Sequence, residues 1–402
     1  MIIEIRGVQF VNKGAELMLH AVLEQINQHF PGAQVALAPN KNSPYAQRAA
    51  LGALQKIPLR FRGRDFNALS YLLPKKLRQF LQSFIGVVFE ADITLVLDAS
   101  GFAYGDQWGG RNVLVLANEI KRLANKGKGY ILLPQAFGPF HKAQDQQLLA
   151  EALPKAWLVC ARDSASFAHL KSCAPDVSQL YQFADFTNLV VPVVPAAPAA
   201  QAGVNEKNRC LIIPNNAMQS LKNNNQQWRE RYMDVLQLAI QTARQQGMSA
   251  VLLNHEGAAD AALCQQLSAA FNPPLQVVNE ADPRKVKGWI ASSRMVVCSR
   301  FHGCVSALSS GVPCIGTSWS HKYEALFAEY QQAEFLIGPD ISAEQLQLLF
   351  NRCQQAVTTK EVQQAIVQFQ QQSQQMWQLV VAAVQQHLNK TTFAATNSEK
   401  VQ

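Results

Sequence analysis

Short apolar runs alternate with segments of helical period along most of the chain. Runs at 2–8, 34–38, 93–98, 130–133 and 157–161, and again at 210–213, 250–253, 275–278, 294–298 and 313–317, have the length and bounding of buried strands. Between them apolar positions recur every three to four residues. Met18, Leu19, Val22, Leu23 and Ile26 share one helical face, and Tyr232, Val235, Leu236 and Ala239 another. Such alternation predicts parallel sheets with helices on both faces. The pattern pauses once, at 190–203, a stretch rich in Pro and Ala and free of charge that reads as a semi-rigid linker. The expected fold is therefore α/β, with two Rossmann-like domains facing one another across a cleft. Residues 1–190 form the first domain, 191–208 the linker and 209–340 the second. Residues 341–389 read as helices: Val362, Ile366, Phe369, Met376 and Val380 keep a three-to-four spacing through a glutamine-rich stretch. The polar tail at 390–402 is expected to be disordered.

A length of 402 residues suits two domains. With 48% hydrophobic and 16% charged residues, the composition excludes a disordered chain. None of the eight cysteines forms a Cys-x-x-Cys pair, which argues against a zinc ribbon or a disulfide scaffold. They read as small buried hydrophobes in a reducing compartment. The opening Met1-Ile-Ile-Glu-Ile-Arg6 reads as a strand rather than a signal peptide, and no run approaches the roughly 18 apolar residues of a membrane span. A soluble, cytoplasmic protein is expected. The +8 net charge is uneven: Lys56, Arg60, Arg62, Arg64, Lys75, Lys76 and Arg78 face Asp65 alone. A general nucleic-acid-binding surface is thereby excluded. The 56–78 segment also holds Phe61, Phe66, Leu69, Tyr71, Leu72 and Leu73. It reads either as a peripheral contact with the inner, anionic face of a membrane or as a solvated loop over an apolar core helix.

In open α/β sheets ligands bind beyond the carboxyl ends of strands. The most informative run there is Met295 to Pro313, where a strand ends at Cys298 and a helix begins near Gly303. Ser299, Arg300 and His302 fall in the turn between them. Arginine offers a planar fork for carboxylate or phosphate, the helix start offers free N–H groups, and histidine exchanges protons near neutrality. The structural alternative is an ion pair at Arg300 and a helix cap at His302. Asn12-Lys13-Gly14 opens the first helix, either as an acceptor- or anion-binding turn or as a plain tight turn. It lacks the Gly-x-Gly-x-x-Gly spacing of a dinucleotide site. Residues 98–110, with Asp98, Ser100, Gly101, Tyr104, Asp106 and Trp108, mix glycines with carboxylates and aromatics as sugar-binding loops do, although Asp98 equally suits a turn. His255 follows the 250–253 strand at the binding edge or is simply exposed. No zinc-like spacing and no Gly-x-Ser-x-Gly elbow occurs.

Ser299-Arg300-Phe301-His302-Gly303, Gly311-Val312-Pro313 and Ser320-His321-Lys322 together resemble the C-terminal signature of the polysaccharide pyruvyl transferase family. Arg6-Gly7 with Asn12-Lys13-Gly14, the 92–101 strand and turn, Gln135-Ala-Phe-Gly-Pro139, Ala161-Arg-Asp-Ser164 and Asp185-Phe186 follow in the family's order. One departure is Ala99-Ser100-Gly101 where the family usually has adjacent glycines, which bears on the acceptor side. The resemblance implies a GT-B-like pair of domains, with the donor on the second and the acceptor on the first. The donor is phosphoenolpyruvate, the product a pyruvate ketal on two hydroxyls of a sugar or lipid-linked saccharide, and phosphate is released with no cofactor or metal. Arg300 and Arg162, one in each half, are expected to meet across the cleft and hold the donor's anions. His302 acts as acid/base or phosphate ligand, and Lys322 as a phosphate ligand or a solvated charge. Asn12, Asp98, Ser100, Gly101, Ser299, Gly303 and His255 complete the expected substrate-binding set. The alternatives are a GT-B-type glycosyltransferase using a nucleotide-sugar and a catalytically silent glycan-binding protein of the same fold.

Overall fold

A computed structural model describes residues 1–62, 64–195, 208–221, 223–318, 320 and 322–399, with side chains to 389. The chain divides into two compact units. One comprises Met1–Phe10, Met18–Phe186 and the chain from Gln372 onward; the other comprises Val11–Leu17 and Thr187–Gln371. The first turn of the first helix thus belongs to the second unit, and the last helix returns to the first.

The first unit holds β1 (Ile2–Arg6), β2 (Gln34–Leu37), β3 (Leu54–Lys56), β4 (Arg60–Phe61), β5 (Arg64–Asp65), β6 (Val87–Val88), β7 (Leu95–Asp98), β8 (Gly129–Gln135), β9 (Leu158–Ala161) and β10 (Leu180–Gln182). Eight of these form one parallel sheet in the order β10-β9-β8-β7-β1-β2-β3-β6, while β4 and β5 pair separately as an antiparallel hairpin. Its helices are α1 (Lys13–His29, from Met18), α2 (Tyr45–Ala50), α3 (Lys75–Ile85), α4 (Gly110–Ala124), α5 (Ala143–Ala152) and α6 (Ser164–Cys173). The sheet order reverses between β1 and β7, where Arg6 and Asp98 are register partners. That switch point is where a parallel sheet opens a binding crevice. On α4, Val113, Leu116, Ala117, Ile120 and Leu123 are buried at helical spacing against the sheet.

The second unit holds β11 (Arg209–Ile213), β12 (Ser249–Asn254), β13 (Gln276–Asn279), β14 (Met295–Cys298), β15 (Cys314–Thr317) and β16 (Leu336–Ile337) in one parallel sheet of order β13-β12-β11-β14-β15-β16. Its helices are α7 (Gln226–Gln245), α8 (Gly257–Ala269), α9 (Pro283–Ala291), α10 (Phe301–Ser309), α11 (Lys322–Glu329), α12 (Ala343–Ala356) and α13 (Lys360–Glu399), the last crossing into the first unit at Gln372. Here the order reverses between β11 and β14, with Ile213 and Cys298 as register partners. Tyr232, Val235, Leu236 and Ala239 line the buried face of α7, the face read from the sequence.

Both units are Rossmann-like. All ten expected strands are present. Strands β3, β6, β10 and β16 and the β4–β5 hairpin were not expected, because runs of two or three residues carry no readable period. The last helix extends ten residues beyond the anticipated end at 389, since a nucleated helix gains one backbone bond per added residue. Of the expected linker, 196–207 lies outside the described residues. Its beginning is not a free spacer: the Val193 N–H donates to the Arg284 carbonyl at 3.1 Å. All eight cysteines are unpaired and buried.

Candidate active site

Where β14 ends, each residue of Ser299–Gly303 has a distinct task. Ser299 is fully buried and serves as a fixed post. Its N–H donates to the Ile213 carbonyl, its hydroxyl oxygen accepts from Tyr232 at 2.6 Å and Thr317 at 2.8 Å, and its carbonyl accepts from Asn215 and Tyr323. Gly303 lets α10 pass close to the strand, since a Cβ there would stand 2.5 Å from Cys298 Sγ. Arg300 is the N-cap residue of α10 with extended backbone, and its side chain makes no capping bond to the helix. Its guanidinium is ion-paired. Nε and one terminal nitrogen clasp the fully buried Asp260 carboxylate at 2.7 and 2.5 Å, and the other terminal nitrogen pairs with Glu256. Burial pushes the Asp260 carboxyl up to about 7 and the Arg300 guanidinium down to about 10. The fork-to-carboxylate bond opposes both shifts, because it is strongest when both groups are charged. The structural alternative for Arg300, an ion pair, is thus what the local geometry contains, whereas His302 is not a cap. Lys322 Nζ lies 4.9 Å from the Phe301 ring centroid and 5.7 Å from that of Tyr323, as a cation over aromatic faces.

The loop that opens α1 completes this site within the second unit. Asn12 Oδ1 accepts from the N–H groups of Gly14 and Ala15, satisfying the free donors of the helix start. Asn12 Nδ2 donates to Glu256 Oε2 at 3.0 Å, the same carboxylate that meets Arg300. The Lys13 N–H donates to the His255 carbonyl at 3.2 Å. Gly14 lies directly against His302: a Cβ there would stand 2.6 Å from the imidazole Cγ and 2.7 Å from its Cβ. Asn12, His255, Arg300 and His302 therefore come together, joined by Glu256 and Asp260, which sequence reasoning missed. Asp260 sits in the first turn of α8 among alanines, where an acidic residue normally reads as a dipole partner.

His255 is almost wholly buried, and its Nδ1 has no hydrogen-bond partner among the described residues. Burial first, and then the positive charges of Arg300, His302 and Lys13, hold its pKa well below the usual value. The folded protein keeps this imidazole neutral at a pH where the unfolded chain protonates it near 6.5. Its contribution to stability is complete above 6.5 and declines as pH falls below it. Between pH 7.5 and 5.5 the wild type is expected to lose about 1.4 kcal/mol more than His255→Gln in denaturant titrations. Parallel losses in the two proteins would refute this.

The remaining expected residues lie in the first unit. Arg162, at the end of β9, is 5% exposed and pairs with Asp185 at 3.3 Å. Asp98 is fully buried, accepting from the Tyr104 and Tyr130 hydroxyls at 2.7 Å each and from the Ser100 hydroxyl at 2.5 Å. Burial and the Asp98 charge push the Tyr104 hydroxyl up, so it remains a donor. Ser100 closes against Gly7, where any Cβ would collide with it, and Gly101 turns in the left-handed region at φ 70°. Beside this lies a set the sequence reading missed. Buried Lys56 pairs with Glu4 and Glu119, and Glu119 also meets Arg6. These four, with Arg60 and Asn67, line a cavity of about 180 Å³ at the carboxyl ends of β1, β2 and β3. The signal was Glu4 in the middle of an apolar strand. Among the described residues, no group of three His, Cys, Asp or Glu is placed to hold a metal ion.

The model of the family described as polysaccharide pyruvyl transferase matches residues 12–321. The chain belongs to that family. The matched span begins at Asn12 and takes in Arg300 and His302. No curated protein matches the sequence. Among solved structures, the UDP-GlcNAc 2-epimerase from Methanocaldococcus jannaschii is similar over 90% of this chain and 94% of its own, at 9% identity and a TM-score of 0.54. The UDP-GlcNAc 2-epimerase from Neisseria meningitidis bound to UDP-GlcNAc is similar over 95% of this chain and 99% of its own, at 10% identity and the same TM-score. At such identities the likeness shows the fold alone: a pyruvyl transferase family member built from two Rossmann-like domains in the GT-B manner.

Proposed function

We propose that the protein transfers pyruvate from phosphoenolpyruvate onto two hydroxyls of a sugar in a glycan or glycan precursor, as a ketal, releasing phosphate in the cytoplasm. The observation that carries this reading is the grouping of Arg300 and His302 at the opening of α10 against the first turn of α1, in a chain of this family. Asp260 holds the guanidinium from its buried side. Glu256, whose side chain is 28% exposed, is the partner that a donor anion displaces. Lys322, in the same unit, is a further ligand for the donor's carboxylate or phosphate. His302 delivers a proton to the methylene carbon, which becomes a methyl group and leaves C2 electrophilic. The first sugar hydroxyl bonds to C2 and loses its proton. The C2–O bond breaks with its electron pair on phosphate, and the second hydroxyl closes the ring, losing its proton in turn. Of the two hydroxyl protons, one replaces the proton that His302 gave and the other leaves with phosphate or solvent.

On the acceptor side, the 180 Å³ cavity of the first unit matches one sugar ring in size, and its carboxylates and cations suit hydroxyl groups. Asp98 supports this side through Ser100 and the two tyrosines rather than touching the sugar.

The test supplies phosphoenolpyruvate with a panel of saccharides and glycan precursors and measures phosphate. Release that requires both donor and acceptor is expected. His302→Ala should lower it about 10²–10⁴-fold, the usual contribution of a positioned acid. Nucleotide release from a nucleotide-sugar, with no dependence on phosphoenolpyruvate, would overturn the proposal in favour of glycosyl transfer. Sugar binding with no turnover of either donor would point to a silent binding protein.

A further inference from the structure

Helix α3 is built inside out. It has the strong amphipathic pattern of a surface helix, yet none of its eleven residues is buried. Leu77, Phe80 and Phe84, spaced to share one face, are 44%, 57% and 75% exposed, and the two phenylalanine rings stack in parallel at 5.4 Å. Ile85 and Leu72, at either end of the helix, are exposed as well. The helix is held to its unit by polar residues instead. Arg78 pairs with Asp92 and donates to the Leu73 carbonyl, and Gln82 donates to Gln34. A surface helix of a globular domain normally turns its apolar stripe inward and its polar face to water.

Charge follows the same logic. Lys75 and Lys76 occupy the first turn, are exposed, and meet no acidic residue there. No Asp or Glu occurs between Asp65 and Glu90. Cations at a helix N-terminus oppose its dipole, so helix stability does not select them. The basic cluster noted in the sequence has thereby divided: Lys56 and Arg78 are spent on buried or half-buried carboxylates, while Lys75 and Lys76 remain at the surface beside the apolar face.

We propose that α3 is a docking helix that lies in the headgroup region of an anionic lipid bilayer, with Leu77, Phe80 and Phe84 inserted and Lys75 and Lys76 against lipid phosphates. Eleven residues span about 16 Å, too short to cross a bilayer and suited to lie along it. A second copy of this chain fits the face poorly. A two-fold interface through this face would set Lys75 and Lys76 against the partner's copy of the same segment, which holds no acid to meet them. The inference is independent of the donor chemistry, because it concerns only where the first unit rests.

Co-sedimentation of the full chain with vesicles tests it. Wild type should pellet with vesicles containing phosphatidylglycerol, far less with pure phosphatidylcholine, and should be released by raised salt. Phe80→Ser with Phe84→Ser, and separately Lys75→Gln with Lys76→Gln, should each weaken binding about tenfold or more. Neither pair should lower the melting temperature, because all four side chains are exposed. Equal or negligible binding to the two vesicle types would overturn the proposal. So would a stable dimer, in the absence of lipid, that the phenylalanine substitutions dissolve.

Discussion

Arg300→Ala is expected to cost about 3–5 kcal/mol of folding stability and to abolish measurable turnover. The two losses have different origins. Removing the guanidinium strips a fully buried carboxylate, Asp260, of both its charge-assisted bonds and leaves it, among the described residues, the Asn216 N–H. A buried charge left without its partner is among the few causes of very large single-site effects. Chemical denaturation measures that part, and a change within about 0.5 kcal/mol would show that the pair is not structural. Catalysis is separated by a second variant. Arg300→Met with Asp260→Leu replaces both partners by apolar groups of similar size, an exchange that is often neutral or stabilising. It should recover most of the stability and none of the phosphoenolpyruvate-dependent phosphate release. Recovery of both would leave Arg300 as scaffold only. Arg300→Lys retains the charge but not the fork, and is expected to behave like the alanine variant in turnover.

How far the sequence discloses this site depends on the range of each interaction. The Ser299–Gly303 junction is legible because a strand of Val and Cys stops abruptly at residues that packing would not select. The turn from period two to helical period fixes where they sit. Gly303 reads in the sequence only as the helix start and a substrate-binding candidate; its close approach to Cys298 emerges in the folded chain. The partners of Arg300 are not legible. Asp260 lies forty residues earlier in the first turn of another helix, and nothing in its neighbours distinguishes a clamp from an ordinary helix-start acid. Asp98 shows the reverse case: among glycines and aromatics it resembles an open ligand, yet three hydroxyls from distant and near positions consume its acceptor capacity.

The same distinction holds for the fold. The parallel sheets follow from strand alternation, but the positions where the strand order reverses do not, and the two- and three-residue edge strands owe their pairing to neighbours already in place. The pattern of α3 is plain in the sequence, and its orientation is not. Periodicity gives the apolar stripe without saying which face turns toward the protein. Only the Arg78–Asp92 and Gln82–Gln34 contacts decide that the stripe looks outward.

Gly14→Ala is expected to reduce turnover about 10²-fold while leaving the protein folded. Local preference alone predicts a gain, since alanine is favoured over glycine in a helix by about 0.8–1.0 kcal/mol. Gly14 has no left-handed backbone that would forbid it. Against this stands the His302 side chain. Its Cγ and Cβ would be 2.6 and 2.7 Å from the new methyl carbon, inside any ordinary carbon contact. Ring rotation cannot relieve the clash, because the imidazole Cβ is fixed to α10 by its own backbone. Either the first turn of α1 or the start of α10 must shift by about an ångström, a displacement that is enough to cost two orders of magnitude when a catalytic group is misplaced. Steric repulsion therefore outweighs propensity, and the single variant should be less stable than wild type. With His302→Gly in the background the obstructing atoms are gone, and the same Gly14→Ala change should become stabilising by roughly the propensity difference. A reversal of sign in the double-mutant cycle identifies direct contact between Gly14 and His302. Equal effects in both backgrounds, or full phosphate release by Gly14→Ala, would mean that the imidazole does not depend on this glycine for its place.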